Sequence, residues 1–211
     1  MEKSSLVTKK INSSIYKGDF YIAQMPETKP IISIENVVAS ASVDQKIDLN
    51  DVTKKFPETE YHPEQFPGLV FRLDNPRTAT LIFRTGKMVC TGGKSEAMAI
   101  KAVNTVVKQL RKGKIKIKNE PIIKIQNIVA AINLGGKIHL ELAARKLPRS
   151  MYEPEQFPGL IHRMLEPKTV ILLFASGKLV CTGAKKEEQV YRSVNNLHSS
   201  LEEKKLMMYD Q

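Results

Sequence analysis

The sequence is poor in the residues that build metal, redox and disulfide sites. Its 211 residues include only two cysteines, Cys90 and Cys181, and four histidines that are scattered along the chain. No pair of cysteines has the short spacing of a zinc site, and we interpret both as small buried side chains, one in each half of the chain. The chain is therefore expected to need no metal and no cofactor.

Long apolar runs are also missing. No stretch approaches the roughly 18 consecutive apolar residues that a membrane-spanning helix requires, and no apolar core of a signal peptide follows the first lysines. No Ser-His-Asp or Cys-His combination recurs in a pattern that would indicate a catalytic site. These absences predict an intracellular, cytoplasmic protein that is not an enzyme.

Positive charge is what the chain has in excess. It carries 33 Lys and Arg against 22 Asp and Glu, a formal net charge of +11 and a pI near 9.6. Such an excess favours an anionic partner, either nucleic acid or an anionic membrane surface, and the lack of apolar runs makes the membrane the weaker choice. The densest basic run, Lys94 to Lys118, is interpreted as the solvated face of a helix, with a docking surface as the alternative.

A repeat organises most of the chain. The segment Tyr61–Leu69 reads Tyr-His-Pro-Glu-Gln-Phe-Pro-Gly-Leu and returns almost unchanged at Tyr152–Leu160, an offset of 152 − 61 = 91 residues. Between residues 61 and 92, 19 of 32 positions are identical to their partners. Two copies predict one internally symmetric fold about a pseudo-twofold axis, since a solenoid needs at least about three. We divide the chain into a basic N-terminal extension (1–30), a first repeat (31–119) and a second repeat (120–211).

Each repeat predicts a strand, a short helix, three strands and a long helix. In the first repeat the expected elements are Ile31–Val43, Asp48–Phe56, Gly68–Asp74, Ala79–Thr85, Lys87–Gly92, and a helix that Ser95 caps and Gly113 ends. The alternation of Lys and Ile from Lys114 to Lys118 predicts a further strand-like edge. Short antiparallel connections and helices late in each unit predict an α+β fold, with helices on one face of a single antiparallel sheet.

The face of the sheet that has no helices is expected to be apolar and open to water. Period-2 alternation places Ala79, Leu81 and Phe83 on one side of a strand and Thr80 and Ile82 on the other, so both sides carry apolar residues. A large exposed apolar surface usually marks a binding site. The alternative is a sandwich whose second layer covers that face.

Four phenylalanines recur as two pairs near the end of a predicted β-hairpin. Phe66 and Phe83 form the first pair, Phe157 and Phe174 the second, and both pairs are 17 residues apart (83 − 66 and 174 − 157). A single phenylalanine is most often a core residue. A doubled pair at loop ends is harder to explain by packing alone.

The repeated motifs resemble those of the TATA-box-binding protein family. Tyr-x-Pro-Glu-Gln-Phe-Pro-Gly-Leu, Phe-x-x-Gly-Lys-x-Val-Cys-Thr-Gly-x-Lys and Ile-x-Asn-x-Val-Ala each occur twice, and the resemblance covers roughly residues 31–201. Glu-Gln-Phe-Pro-Gly in both copies is typical of archaeal members. The resemblance implies a saddle whose concave sheet grips the DNA minor groove while the helices lie on the convex face. The family is itself a standard example of such binding by wedge insertion.

The resemblance also implies three groups of DNA-contacting residues. Base-edge contacts are expected from Asn36, Asn127, Thr91, Thr182, Val38, Val129, Leu81, Leu172, Val89 and Val180. Insertion between base steps is expected from Phe66, Phe83, Phe157 and Phe174, and phosphate contacts from Arg72, Arg163, Lys87, Lys178, Lys94 and Lys185. The A·T minor groove offers mainly acceptors, so an apolar surface with a few donors suits it.

The implied function is that of a general transcription initiation factor. Such a factor binds the TATA-box promoter element, kinks the DNA by phenylalanine insertion and nucleates a preinitiation complex with transcription factor B and RNA polymerase. By the resemblance, transcription factor B is expected to dock on Glu153, Glu155 and Gln156 in a loop of the second repeat.

Other functions stay open at this point. The chain can be a specialised paralogue, or its saddle can serve as a protein-interaction or RNA-binding module; single-strand binders, however, favour aromatic residues along the sheet, and here they cluster at two ends. An enzyme is suggested only by Gly92-Gly93-Lys94-Ser95, which resembles part of a phosphate-binding loop. That motif needs a glycine where Met88 stands.

Overall fold

The computed structural model describes residues 29–209. The basic extension predicted for residues 1–30 lies outside this range apart from its last two residues, so it stays a prediction, as do the exact domain boundaries. Within residues 29–209, no helix combines the length and the apolar character needed to cross a membrane.

The two repeats contain the predicted order of elements. The first repeat consists of β1 (Ile31–Ser42), α1 (Leu49–Lys55), β2 (Gly68–Asp74), β3 (Arg77–Phe83), β4 (Lys87–Gly93) and α2 (Glu96–Lys112). The second consists of β5 (Ile122–Asn133), β6 (Lys137–Ile138), α3 (Leu140–Lys146), β7 (Ser150–Met151), β8 (Leu160–Met164), β9 (Thr169–Leu173), β10 (Lys178–Ala184), α4 (Glu187–Glu203) and β11 (Met207–Met208). The short strands β6 and β11 correspond to no strand in the first repeat, and β7 corresponds there to a single bridge between Glu60 and Val70.

Within residues 29–209, nine strands form one curved antiparallel sheet in the order β2-β3-β4-β1-β5-β10-β9-β8-β7. The long central strands β1 and β5 pair along their whole length, from Ile31 opposite Asn133 to Ser42 opposite Ile122. This pairing lies between the two repeats and joins their half-sheets. The predicted α+β saddle of two repeats is confirmed.

The hairpin between β2 and β3 is tighter than predicted. Asp74 pairs directly with Arg77, so that only Asn75 and Pro76 form the loop, and β3 begins and ends two residues before the predicted strand. Proline is suited to such a turn because it has no N–H to contribute to a ladder. The predicted bounds of β3 differ from the observed ones because the sequence pattern does not show how many residues the turn itself contains.

The two helices of the first repeat begin at residues whose side chains cap them. The side chain of Asp48 accepts hydrogen bonds from the N–H groups of Asn50 and Asp51 at the start of α1. Ser95 Oγ accepts from the N–H of Met98 at 3.0 Å, which confirms it as the cap of α2.

All four helices contribute to a core on one face of the sheet. Val37, Ala39 and Cys90 on that face are fully buried, in one cluster with the apolar stripe of α2 and α4. The strand neighbours Val38, Leu81 and Val89 keep part of their surface in water. For residues 29–209, the sandwich alternative is therefore wrong: no second layer covers the opposite, concave face.

The predicted edge strand at residues 114–118 is wrong. Ile115 and Ile117 are buried as the alternation indicated, but the segment belongs to no strand. The side-chain amide of Gln45 takes the place of a neighbouring strand, donating to the carbonyl of Lys116 and accepting from the N–H of Lys118 at 2.8 Å. A side chain thus satisfies the backbone where a ladder was expected.

The basic run from Lys94 to Lys118 is divided among several environments. Lys101 and Lys108 are exposed on α2, which supports the interpretation of a solvated helix face. Arg111 instead donates to the carbonyls of Ile117 and Asn119 at 3.1 and 2.8 Å, and so holds the connection to the second repeat.

The two long helices meet at their N-termini through a reciprocal pair of caps. Glu187 Oε1 accepts from the N–H of Glu96 at 2.8 Å, and Glu96 Oε1 accepts from the N–H of Glu187 at 2.7 Å. Each carboxylate thereby binds an N–H at the positive end of the other helix dipole. The contact ties the repeats together on the helical side, opposite the open face.

Replacing either glutamate of this pair should destabilise the fold. We expect Glu96→Ala or Glu187→Ala to lower the free energy of unfolding by about 1 kcal/mol, because each removes a helix cap. Urea denaturation measures the change.

The matched control is Glu203→Ala, an exposed carboxylate at the other end of α4. This change should stay within about 0.5 kcal/mol of the parent protein, as expected for a surface site without special contacts. If Glu96→Ala is as neutral as Glu203→Ala, the reciprocal caps contribute nothing to stability.

Candidate nucleic-acid interface

The centre of the open face is built by the pairing of β1 with β5. Asn36 lies opposite Val129, and Val38 lies opposite Asn127. All four side chains are partly exposed on the concave side. The pseudo-twofold relation therefore brings two amides and two valines, 91 residues apart in sequence, into one central group.

Each central amide has its oxygen occupied by its own repeat. Asn36 Oδ1 accepts from the N–H of Gly92 at 2.8 Å and from the hydroxyl of Thr91 at 3.0 Å. Asn127 Oδ1 accepts from the N–H of Gly183 at 2.7 Å, and Thr182 Oγ1 lies 3.3 Å from Oδ1 and 3.1 Å from Nδ2, so this hydroxyl also accepts from the amino group of the amide. Because the backbone N–H can only donate, it determines which end of the amide is oxygen. This leaves both N–H groups of the Asn36 amino group, and one of the Asn127 amino group, as donors on the open face.

The backbone that delivers this N–H requires glycine. Gly92 has a φ of +98°, and a Cβ there would lie 3.1 Å from the carbonyl oxygen of Arg77. The register of β1 against β4 also shifts at this point, where Val37 pairs with Gly93 and Ala39 with Cys90. Such a bulge with a positive-φ glycine redirects one peptide group out of the ladder, here toward Asn36.

Apolar side chains flank the central amides on both sides. Leu81 is paired with Val89 in the first repeat and Leu172 with Val180 in the second, and all four are partly exposed. In the first repeat this surface forms a groove of about 670 Å³, whose lining includes Phe83. The expected open apolar face is therefore present.

The two phenylalanine pairs lie outside the core, at equivalent places in the two repeats. The rings of Phe66 and Phe83 meet edge to face with centroids 5.9 Å apart, and those of Phe157 and Phe174 with centroids 5.8 Å apart. Phe66 is 42% exposed. None of the four rings is part of the buried core, so none is explained by interior packing.

A glycine beneath each pair makes room for the rings. A Cβ on Gly68 would lie 2.6 Å from the Phe66 ring, and one on Gly159 would lie 2.7 Å from the Phe157 ring. These glycines follow the phenylalanine by two residues in both copies of the Phe-Pro-Gly motif. Their role was not deduced from the sequence, although the repeated Phe-Pro-Gly was a visible signal.

The six predicted phosphate-contacting residues are placed on strands or directly after them, but they are not equally free. Lys87, Lys178, Arg163 and Lys185 are exposed and form no ion pair within residues 29–209. Arg72 Nε lies 3.2 Å from Glu60 Oε1, and Lys94 Nζ lies 3.1 Å from Glu35 Oε2. A hydrogen bond from Ser33 and the nearby Lys94 hold the pKa of Glu35 below its usual value.

The residues predicted to dock transcription factor B lie together on a surface turn. Glu153, Glu155 and Gln156 are all exposed between β7 and β8. The N–H groups of Gln156 and Phe157 both donate to the carbonyl of Glu153 at 2.9 Å. This turn therefore leads directly into Phe157.

Several residues of the open face were not identified from the sequence. Gln126 Nε2 donates to Ser40 Oγ at 2.6 Å, and Lys124 lines the groove beside Lys87. Gln126 occupies the position equivalent to Glu35, and this difference between copies was the signal that could have identified both. Glu60 was missed because its contact with Arg72 depends on the fold.

The described residues contain no arrangement suited to metal binding. Within residues 29–209, no group of three His, Cys, Asp or Glu side chains is close enough to hold an ion. Burial raises the pKa of Cys90, and it raises the pKa of Cys181 to about 11. Burial also lowers the pKa of His162, with a smaller contribution from Arg149. These groups are structural: the thiols stay protonated and the imidazole stays neutral at pH 7.

The sequence Gly92-Gly93-Lys94-Ser95 is also structural. Gly92 donates its N–H to Asn36, a Cβ on Gly93 would lie 3.1 Å from the backbone nitrogen of Ala99, and Ser95 caps α2. The glycines thus close the junction between β4 and α2 and do not form a phosphate-binding loop.

Comparisons with known proteins agree on one family. A family model described as transcription factor TFIID (or TATA-binding protein, TBP) matches residues 31–113 and again residues 122–204, which confirms the internal repeat. The TATA-box-binding protein of Pyrodictium occultum is 55% identical over 83% of this chain and 88% of its own length. That of Sulfolobus acidocaldarius is 49% identical over 83% of this chain and 89% of its own. The solved structure of Methanococcus jannaschii TBP is similar with a TM-score of 0.74 and 45% identity, over 82% of this chain and 98% of that one.

The orientation of the Asn36 amide can be tested by stability. Asn36→Asp keeps an oxygen for the N–H of Gly92 and should leave the free energy of unfolding unchanged or slightly raised, because a charged acceptor strengthens the bond. Asn36→Leu removes the acceptor and should cost about 1 kcal/mol. Urea denaturation of both variants measures the difference.

The pseudo-symmetric variants Asn127→Asp and Asn127→Leu provide the internal control, and the same order is expected there. Equal loss of stability in the aspartate and leucine variants would contradict the assigned orientation.

Proposed function

We propose that this chain, which belongs to the TATA-binding protein family, is a general transcription initiation factor that binds an A·T-rich promoter element through the DNA minor groove. The family is one of DNA-binding transcription factors and not of enzymes. The observation that carries the proposal is the open apolar face with two amide donors at its centre.

The donors match the chemistry of the A·T minor groove. Adenine N3 and thymine O2 are acceptors at nearly equivalent positions, whereas guanine adds a protruding amino group that donates. The amino groups of Asn36 and Asn127 can donate to the acceptors, with their oxygens already occupied. A guanine amino group would meet a donor or an apolar side chain such as Val38. It would then lose its hydrogen bond to water and gain no acceptor in the protein.

The phenylalanine pairs act as wedges in this proposal. Phe66 with Phe83, and Phe157 with Phe174, enter the base steps at the two ends of the site and kink the duplex. Unstacking costs a few kcal/mol at each step, which contact with the rest of the open face offsets. Pyrimidine–purine steps unstack most readily, so part of the sequence preference comes from deformability.

The exposed cations supply affinity without sequence information. Arg163, Lys178 and Lys185 in the second repeat, and Arg72, Lys87 and Lys94 in the first, bind backbone phosphates in this proposal. Affinity should therefore fall as salt rises. Base-edge contacts come from the remaining open-face residues, including Thr91 and Thr182.

The proposal includes a place in assembly of the transcription machinery in the cytoplasm. Two similar halves provide little basis for direction, so a partner that binds one half only is needed. The exposed turn with Glu153, Glu155 and Gln156 offers such a surface for transcription factor B, which in turn brings RNA polymerase.

The second candidate is a specialised paralogue, or a saddle used as a protein-interaction or RNA-binding module. Single-strand binders stack bases on aromatic rings distributed along the sheet. Here the paired rings stand apart from the central amides, and the flanking residues are aliphatic. This distribution favours a duplex that is kinked at two points.

The main test is binding of a short A·T-rich duplex labelled at both ends. We expect binding to raise the end-to-end fluorescence transfer, because a kinked duplex brings its ends together. Asn36→Asp, which should fold normally, is expected to weaken binding at least about tenfold, since it replaces a donor by an acceptor facing acceptors.

The control is Asn104→Asp, the same change at an exposed site on α2, which should bind like the parent protein. A G·C-rich duplex and an A·T-rich single strand complete the comparison. An unbent duplex, or equal affinity for the single strand, would favour the second candidate.

The partner surface is tested by charge reversal. Glu155→Arg should leave DNA binding intact and abolish the ternary complex with transcription factor B, because it places a cation where the partner is expected to meet carboxylates. A gel supershift on the A·T-rich duplex reads both steps.

Glu64→Arg is the matched control, because Glu64 is the equivalent of Glu155 in the first repeat and is likewise exposed. This variant should still form the ternary complex. A normal supershift by Glu155→Arg would refute the assignment of the turn.

A further inference from the structure

The two halves of the open face carry different charges at equivalent places. Near Asn36, three cations and three carboxylates form what we call the first corner: Glu35, Glu60, Arg72, Asp74, Arg77 and Lys94. The positions 91 residues later form the second corner: Gln126, Met151, Arg163, Leu165, Lys168 and Lys185. All three cations have a basic counterpart, but all three carboxylates have an uncharged one.

Two of the three carboxylates of the first corner form ion pairs with two of its cations. Arg72 meets Glu60 at two points, with Nε–Oε1 at 3.2 Å and Nη2–Oε2 at 3.4 Å. Lys94 Nζ lies 3.1 Å from Glu35 Oε2. Asp74 and Arg77 line the same pocket as Glu35 and Arg72, a space of about 570 Å³ that reaches Asn36. The first corner is therefore close to neutral.

The cations of the second corner have no such partners. Within residues 29–209, Arg163, Lys168 and Lys185 form no ion pair. The nearby turn does carry Glu166, but that carboxylate lies 3.7 Å from Arg192 on α4, on the helical side. The second corner therefore presents three positive charges.

Two other features bear on this difference. Lys124 belongs to β5 but lines the groove of the first repeat, where it adds a cation. The equivalent position, 91 residues earlier, is the uncharged Ser33. Lys124 therefore reduces the difference of three charges between the two halves of the open face by one. The lysines of α2 make the first repeat the more basic one elsewhere, but they lie on the helical face. Screening within about 10 Å at 0.1 M salt limits their effect on the groove.

Resting on the proposed function, we propose that the two repeats grip the DNA backbone unequally, with the second corner as the main phosphate anchor. Phosphates bind Arg163, Lys168 and Lys185 with release of counterions from the DNA. At the first corner, a phosphate that binds Arg72 or Lys94 first displaces Glu60 or Glu35, and the freed carboxylate must take up a cation. Net ion release there is small, so the first corner contributes little to the salt-dependent affinity.

The test exchanges the corners and measures how log Kobs depends on log salt concentration for an A·T-rich duplex. The first-corner variant (Glu35→Gln, Glu60→Met, Asp74→Leu) should steepen the slope by roughly one to three, at about 0.9 for each phosphate neutralised on B-DNA. The second-corner variant (Gln126→Glu, Met151→Glu, Leu165→Asp) should flatten it by a similar amount. All six positions are exposed, and urea denaturation checks that both variants fold.

The control separates corner charge from net charge. The triple variant Glu141→Gln, Glu188→Gln, Glu203→Gln removes three exposed carboxylates from helices α3 and α4, which changes the net charge as much as the first-corner variant does. Its slope should equal that of the parent protein. An equal steepening in this control, or an unchanged slope in the second-corner variant, overturns the proposal.

A duplex of mixed sequence makes the outcome independent of the proposed function. Non-specific binding uses phosphate contacts alone, so the same order of slopes is expected there. Absence of A·T preference and of bending would remove the proposed function, while the slopes on the mixed duplex would still decide the comparison of corners. If a triple variant fails to fold, the single changes Glu60→Met and Met151→Glu carry the test.

Discussion

The antiparallel pairing of β1 with β5 joins the two repeats into a single sheet, and the helices of both repeats then cover the same face of it. The hydrophobic core on that side includes fully buried strand residues such as Val37 and Ile128. Their neighbours Val38 and Val129 point the other way, because successive side chains of a strand alternate. The open apolar face is thus a direct consequence of building one sheet from two repeats with helices on one side only.

An open face of this kind carries a free-energy cost in water that binding relieves. Each square ångström of apolar surface removed from water contributes roughly 25 cal/mol, so under the proposed function a shallow groove in DNA would gain affinity by covering Leu81, Val89 and their counterparts. The polar groups must still be satisfied when water leaves. The oxygens of Asn36 and Asn127 are bonded within the protein beforehand, so only their amino groups depend on the partner.

Near symmetry of the fold does not imply symmetry of the surface chemistry. The backbone and the phenylalanine pairs repeat closely, with ring centroids 5.9 and 5.8 Å apart in the two pairs. The carboxylates of the first corner do not repeat, because exposed positions can differ without loss of packing. The positions equivalent to Glu35 and Glu60 hold Gln126 and Met151, whereas those equivalent to Lys94 and Arg72 are basic. The internal comparison of equivalent positions therefore separates what the fold requires from what the interface uses.

The sequence by itself determined the repeat, the order of the elements in each half and the face on which each strand residue lies. Those features follow from periodicity and capping, which act over a few residues and are visible in residues such as Ser95, Leu81 and Thr80. Only the tertiary structure decided the rest. It shows that Gln45 replaces a strand beside residues 114–118 and that Glu96 and Glu187 cap each other. It also shows which end of the Asn36 amide faces outward and that Glu60 forms an ion pair with Arg72. Each of these is a hydrogen bond or ion pair involving a side chain, mostly between residues far apart in the chain. Its geometry depends on how the backbone brings the partners together, which no local pattern contains.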